Sequence, residues 1–239
     1  MRRYLKIYKR RIHALWTFVI VLLPFLFILL FTPLSYSEKM SFMSDLGASS
    51  IRLLIAYVVS VFLAVLLGIT LSRGKVGTVS LPIFDVLQSF PTFAMLPLAV
   101  HVFGPSDMTV IFFLVVTVVW PMLFAIISSQ KLIKTAWEEA ATVYGATGIK
   151  RFTHFALPVA APGIVTGSIV GLGEGWEAVV GAELIVGLKD HGLGGFFEAG
   201  GTQGHVVFFG VMALLLFIFV LNHLVWLPLL EKSHKMLTE

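Results

Sequence analysis

Three carboxylates, Glu174, Glu177 and Glu183, stand in one glycine-rich apolar stretch, residues 159–186. A carboxylate at the middle of a bilayer costs roughly 2.5–3.5 kcal/mol on insertion scales, so such groups face a cavity or a partner. They can hold a cation or the ammonium end of a zwitterion, pass protons, or hydrogen-bond across a helix interface. Ionised, they favour a cationic or zwitterionic solute; protonated, they can coexist with an anion. At about 100° per residue, Glu174 and Glu177 share one helix face, while Glu183 lies opposite Glu174 and on the side of Trp176. The plainer role for Glu183 is a bond to a backbone or hydroxyl group that ties helices together.

Other chemistry is missing. The chain has no cysteine, which excludes disulfides and thiolate metal sites. His101, His205 and His223 have no metal-ligand spacing on a helix, so no metal is expected. No Walker-type phosphate loop occurs, and no hydrolase triad or carboxylate pair is convincing. The expectation is a chain with no cofactor and no enzymatic activity of its own.

The elements that must position the acids are membrane helices. Of the 239 residues, 58% are hydrophobic and 13% charged, and the mean hydropathy is +0.95. A soluble domain carries roughly 25% charge. About twenty apolar residues cross a bilayer core, and six segments qualify: 14–34, 51–71, 81–103, 108–128, 159–186 and 205–230. The fold class is all-α and polytopic, a single membrane domain over 1–239 with no soluble domain appended. Glycines and charge predict that the fifth segment is broken or tilted. Pro91 and Pro97 predict a bent third segment beside a cavity. Gly167-x-x-x-Gly171 fits a small-residue packing face, within the chain or between two copies.

Lys and Arg crowd the N-terminus, Arg73–Lys75, the Lys131–Arg151 loop and Lys232–Lys235; the opposite segments hold Lys39, Arg52 and Lys189. The bias places both termini and that loop in the cytoplasm. The basic N-terminus, next to a long apolar run, reads as a topology signal rather than a nucleic-acid site.

The cytoplasmic loop, about 129–158, has its own pattern. Thr135-Ala136-Trp137-Glu138 has the form of a capping box. A short helix follows through Ala140 and Ala141, two small residues that let another backbone come close. Gly145 suits the left-handed end of a helix. A second short helix follows, and Leu157-Pro158 opens the fifth span.

Glu139-Ala140-Ala141, three residues, Gly145, nine residues, then Phe155-Ala156-Leu157-Pro158 resembles the EAA loop of bacterial and archaeal ABC importer permeases. Phe155 stands where that family usually has Ile or another apolar residue. Leu87 through Leu98, ending near Phe103-Gly104, resembles the nitrate/sulfonate/taurine class. So does Trp176 through Glu183 followed by Gly192-Leu193-Gly194. The likeness covers about residues 50–230; Glu174 and Glu177 depart from the class pattern.

The resemblance implies a type I ABC importer permease fold in the plasma (inner) membrane. It implies that Glu138, Glu139, Ala140, Ala141, Gly145, Leu157 and Pro158 couple to an ATPase. Two cytoplasmic ABC ATPase subunits carrying ATP and Mg, a second permease copy and an extracytoplasmic solute-binding protein are the implied partners. Ser89 and Pro91 join Glu174, Trp176, Glu177 and Glu183 as candidates for the solute path. The implied solute is a small anion or polar organic molecule such as nitrate, a sulfonate, taurine or bicarbonate. The segment Gly187–Gly204 is then an outer docking surface or a gate. Two other readings stay open: a proton-coupled secondary transporter using Glu174, Glu177 or Glu183 as relays, and a non-transporting scaffold or sensor.

Overall fold

A computed structural model describes residues 34–71, 74–131, 133, 135–188, 191–201 and 203–238, with isolated positions before them. The expected span 14–34, taken as a whole, and the basic N-terminus lie outside the described residues. The first described helix, α1 (Tyr36–Thr70), begins at a capping box. The Ser35 hydroxyl accepts the Glu38 amide at 3.3 Å, and the Glu38 carboxylate accepts the Ser35 amide at 2.8 Å. This cap starts the helix at Tyr36 rather than near Ile51, because a satisfied first turn lets the polar 36–50 stretch join the apolar half.

The expected span 81–103 is two helices, α2 (Gly74–Gln88) and α3 (Thr92–Phe103), bent by 83°. Pro91 has no amide to donate, and its ring pushes Phe90 out of the helical region. The Asp85 carbonyl near the end of α2 is taken by the Ser89 hydroxyl at 2.7 Å. The bend is far sharper than a kink, so this pair is a broken span or a re-entrant hairpin.

Then come α4 (Asp107–Lys131), α5 (Thr135–Val143) and α6 (Gly148–Arg151). A π-helical turn, Phe152–Ala156, leads from α6 into α7 (Leu157–Val186). After α8 (Leu193–Gly200), α9 (Gly204–Leu221) passes through a second π turn, Asn222–Trp226, into α10 (Leu227–Thr238). Among the described residues, four helical stretches are long and apolar enough to cross a membrane, and the α2–α3 pair is a candidate fifth. The fifth expected segment is not broken: Gly148–Val186 is one helical rod of 39 residues.

The core lies along α4, between α1 and α7. Val110, Leu114, Val118, Met122, Leu123 and Ile126 of α4 are fully enclosed. Inside a bilayer the lipid tails are as apolar as the side chains, so close packing rather than hydrophobicity holds helices together. The glycines of α7 supply that closeness. A methyl group at Gly167 would meet the Met122 Cα at 2.6 Å, and one at Gly171 would meet the Val118 carbonyl at 3.1 Å. This small-residue face therefore packs within the chain, against α4.

Candidate functional site

The loop between α4 and α7 ends its first helix with a hydrogen-bonded pair. Ala146 donates its amide to Ala141 at 2.9 Å, and Gly145 donates to Thr142 at 3.0 Å. Gly145 has φ +67°, the left-handed conformation that this Schellman closure requires. The Thr135 side chain lies outside the described residues, so the proposed capping box does too. Glu139 and Ala140 are exposed, and Glu138 and Ala141 half-buried. Around the corner Val143, Tyr144 and Ile149 are 83%, 88% and 82% exposed. Three large apolar side chains are thus bared on one small loop.

The second arm of the loop differs from the sequence expectation. It is no separate helix: α6 flows through the π turn into α7. Pro158 carries no amide and would crowd the carbonyl four residues back. The turn widens just before it, and Leu157 donates to Phe152, five residues back. The buried Gln130 side chain of α4 donates to the Ala156 carbonyl at 3.0 Å, which pins the widened turn to the bundle. The second π turn precedes Pro228 in the same way, with Leu227 donating to Asn222.

Farther along the rod, Thr166, Val170, Gly173, Glu174, Glu177 and Leu184 are exposed at helical spacing. Glu174 and Glu177 thus lie on one open stripe of the single chain. Gly181 continues that stripe, and a methyl group there would meet the Phe93 ring at 3.1 Å. Phe93 opens α3, so the exposed Ser89–Pro91 corner sits next to the stripe. Four sequence candidates, Ser89, Pro91, Glu174 and Glu177, are brought to one side of the molecule.

Trp176 and Glu183 are not on it. Trp176 is buried edge-on against Phe217, with ring centroids 5.4 Å apart, and borders a cavity of about 230 Å³ with Tyr57 and Trp226. Glu183 is 1% exposed. Its carboxylate accepts from the Ser49 hydroxyl at 2.8 Å, from Arg52 Nη1 at 2.6 Å and from the Gly194 amide at 2.9 Å. Arg52 is itself buried and donates further to Asp107 at 2.8 Å and to the His191 carbonyl at 2.9 Å.

This knot ties the start of α8 to the bundle. Three successive amides there find side-chain acceptors on other helices: Gly192 on Asp45 at 3.0 Å, Leu193 on Ser49 at 2.9 Å, and Gly194 on Glu183. These are the amides a helix start leaves unpaired, and carboxylates suit the positive end of its dipole. Gly192 has φ +133°, and a methyl group on it would lie 2.6 Å from both Arg52 and Glu183; one on Gly194 would lie 2.5 Å from the Glu183 Cβ. Only glycine fits at either place.

From sequence, Arg52 reads solely as a topology charge, and Asp45, Ser49 and Asp107 do not stand out. The available signal was an arginine in an apolar run, which demands a buried acid, with Asp45 and Ser49 four residues apart on one helix face. No group of three or more His, Asp or Glu among the described residues could hold a metal ion.

Residues 60–227 match a family model described as "Binding-protein-dependent transport system inner membrane component". The chain is 29% identical to the "Nitrate import permease protein NrtB" of Synechocystis sp. over 152 residues, 63% of this chain and 54% of that protein. It is 29% identical to the "Taurine transport system permease protein TauC" of Escherichia coli over 180 residues, 74% of this chain and 65% of that protein. It is 26% identical to the "Bicarbonate transport system permease protein CmpB" of Synechococcus elongatus over 174 residues, 70% and 61% of the two chains. The chain thus spans about half to two thirds of the length of these relatives.

Proposed function

The chain belongs to the family of binding-protein-dependent transport system inner membrane components, and from that premise we propose that it is the permease subunit of an ATP-driven importer. It forms half of a solute path and couples to separate ATPase subunits through the α5–α6 loop. The observation that carries this reading is the loop itself. Its bared Val143, Tyr144 and Ile149 surround a Gly145 corner, and its second arm is the beginning of the rod that bears Glu174 and Glu177. A push on the second arm therefore reaches the middle of the bundle along one continuous helical stretch.

In this reading both termini and the loop are cytoplasmic, and α8 and the start of α1 are on the outer side. Two ATPases, holding ATP and Mg, dock on the loops of two permease copies. Glu138, Glu139, Ala140 and Ala141 lie on the docking helix, Gly145 turns its corner, and Leu157-Pro158 lies in the rod that follows. A solute-binding protein delivers the solute outside. The path runs between the copies along the stripe of Glu174 and Glu177 and past the Ser89–Pro91 corner; Trp176 and Glu183 support it from behind. The solute is a small anion or polar organic molecule, as the names of the nitrate, taurine and bicarbonate permeases suggest.

The test is ATPase turnover in proteoliposomes holding this chain, its ATPase and its binding protein, with nitrate, taurine and bicarbonate as probes. We expect solute-stimulated turnover that Gly145→Pro and Glu139→Ala abolish while the chain still inserts. An ATPase that does not associate, or two silent substitutions, would overturn the reading.

A further inference from the structure

Whether α8 swings as a gate or stays put is decided by how it is held. Short outer helices that open and close have few buried polar contacts, because each such contact must break in every cycle. Helix α8 is the reverse. The amides of its N-cap Gly192 and of Leu193 and Gly194 are accepted by Asp45 and Ser49 of α1 and by Glu183 of α7. Arg52 clamps the approach to it through the His191 carbonyl and reaches Asp107 at the start of α4. Gly192 and Gly194 press against the same groups with no room to slide. Phe196 packs edge-on against Phe42 of α1 at 5.2 Å. Glu183, one of these anchors, belongs to the same rod that begins at the exposed loop.

We propose that Asp45, Ser49, Glu183 and Arg52 are positioning residues that bolt α8 to the far end of the α7 rod, so that α8 travels with its own bundle as a fixed cap. The opening on this side then lies between bundles and not between α8 and α1. The inference rests on the importer reading for its cycle, but the attachment of α8 is measurable without it.

Hydrogen exchange of the purified chain in lipid nanodiscs tests the attachment. The Gly192, Leu193 and Gly194 amides should exchange at least a hundredfold more slowly than an open loop, and Ser49→Ala should speed Leu193 at least tenfold while α4 is unchanged. Wild-type exchange at loop rates overturns the proposal.

A covalent tether tests the cycle. The chain has no cysteine, so a pair placed at Ser41 and Ala199, which line one small cavity of about 210 Å³ between α1 and α8, is unique. In proteoliposomes with the ATPase and Mg-ATP, bridging the pair with a short bis-maleimide should leave turnover within about twofold. In the Arg52→Gln or the milder Ser49→Ala background, turnover should fall, and the same bridge should restore it. The melting temperature, measured alongside, separates rescue of the position of α8 from general stabilisation by the cross-link. A bridge that stops the otherwise wild-type chain makes α8 a moving gate, and failure of the bridge to rescue removes the positioning role. If the unbridged chain engages no ATPase, the importer reading fails, while the exchange result still stands or falls alone.

Discussion

The Arg52 guanidinium and the Glu183 carboxylate meet at 2.6 Å inside the helix bundle, although 131 residues separate them in sequence. The pair is not isolated. Each charge has further partners, and together they leave little unpaired polar capacity in a place where water cannot supply it. A buried pair of this kind adds little over an apolar replacement of both members, but removing one member strands the other.

Glu183→Ala should therefore destabilise the chain by about 3–5 kcal/mol. Glu183→Gln, which keeps an acceptor for Ser49 and Gly194, should cost less. Denaturant unfolding in detergent, followed by circular dichroism, measures both. A loss below about 1 kcal/mol for the alanine variant would show that Arg52 finds another acceptor and that the knot is dispensable.

Two glycines of similar sequence context should respond oppositely. A methyl group at Gly194 collides with Glu183, whereas one at Gly173 meets nothing within 4 Å. Gly194→Ala should cost about 1–3 kcal/mol through overpacking. Gly173→Ala, in the middle of a helix, should be neutral or stabilise by up to about 1 kcal/mol. The same unfolding assay ranks them, and equal effects would count against the placement of α8.

Much of this was legible in the sequence and some was not. The α4 and α7 segments, the Gly145 corner and the shared face of Glu174 and Glu177 followed from local rules of periodicity and capping. Each is a property of a few neighbouring residues. The capping box at Ser35 is equally local, and the apolar run taken without it predicts α1 too short. The knot is harder to read for a different reason: Ser49 and Arg52 meet Glu183, and Asp45 meets the Gly192 amide, only through the fold, and the one local sign is an arginine in an apolar run that does not say which acid it meets. The π turn before Pro158 fell between these cases. The sequence shows a proline, but whether a helix stops, kinks or widens there depends on neighbours such as Gln130, which holds the widened turn through the Ala156 carbonyl.

Gly145 should tolerate substitution in the order Asn, Ala, Pro. Its φ of +67° costs an alanine about 1–2 kcal/mol, asparagine less, and proline cannot adopt it. Because the corner is exposed, the strain should stay in the loop. We expect an unchanged melting temperature of the bundle with ATPase association weakened in that order, read by co-purification. A bundle that melts earlier in step with lost association would place the defect in folding instead.

Glu174→Gln and Glu177→Gln should leave stability within about 0.5 kcal/mol, as surface changes without buried partners do. Their effect should fall on solute uptake, with the double variant altering the relative rates for nitrate and taurine. Uptake and selectivity equal to wild type in the double variant would remove the stripe from the path.

Pro158→Ala separates the rod's strength from its register. The π turn stores one residue more than an α-helix would over the same length, and it does so because position 158 has no amide and a ring that crowds the carbonyl of His154. An alanine restores the amide and removes the ring, so the turn can close to ordinary four-residue spacing. Drawing that residue into ordinary helical spacing would rotate the loop helix by about 100° and shift it by about 1.5 Å relative to the Glu174–Glu177 stripe. The chain should be as stable as wild type or more so, since proline inside a helix is unfavourable by about 3 kcal/mol. Turnover with the ATPase should nonetheless fall at least tenfold, because the docking surface no longer faces its partner when the stripe faces the path. Stability and turnover measured on the same preparation decide the matter. A variant that is stable and fully active would mean that the register between loop and stripe is not what carries the motion.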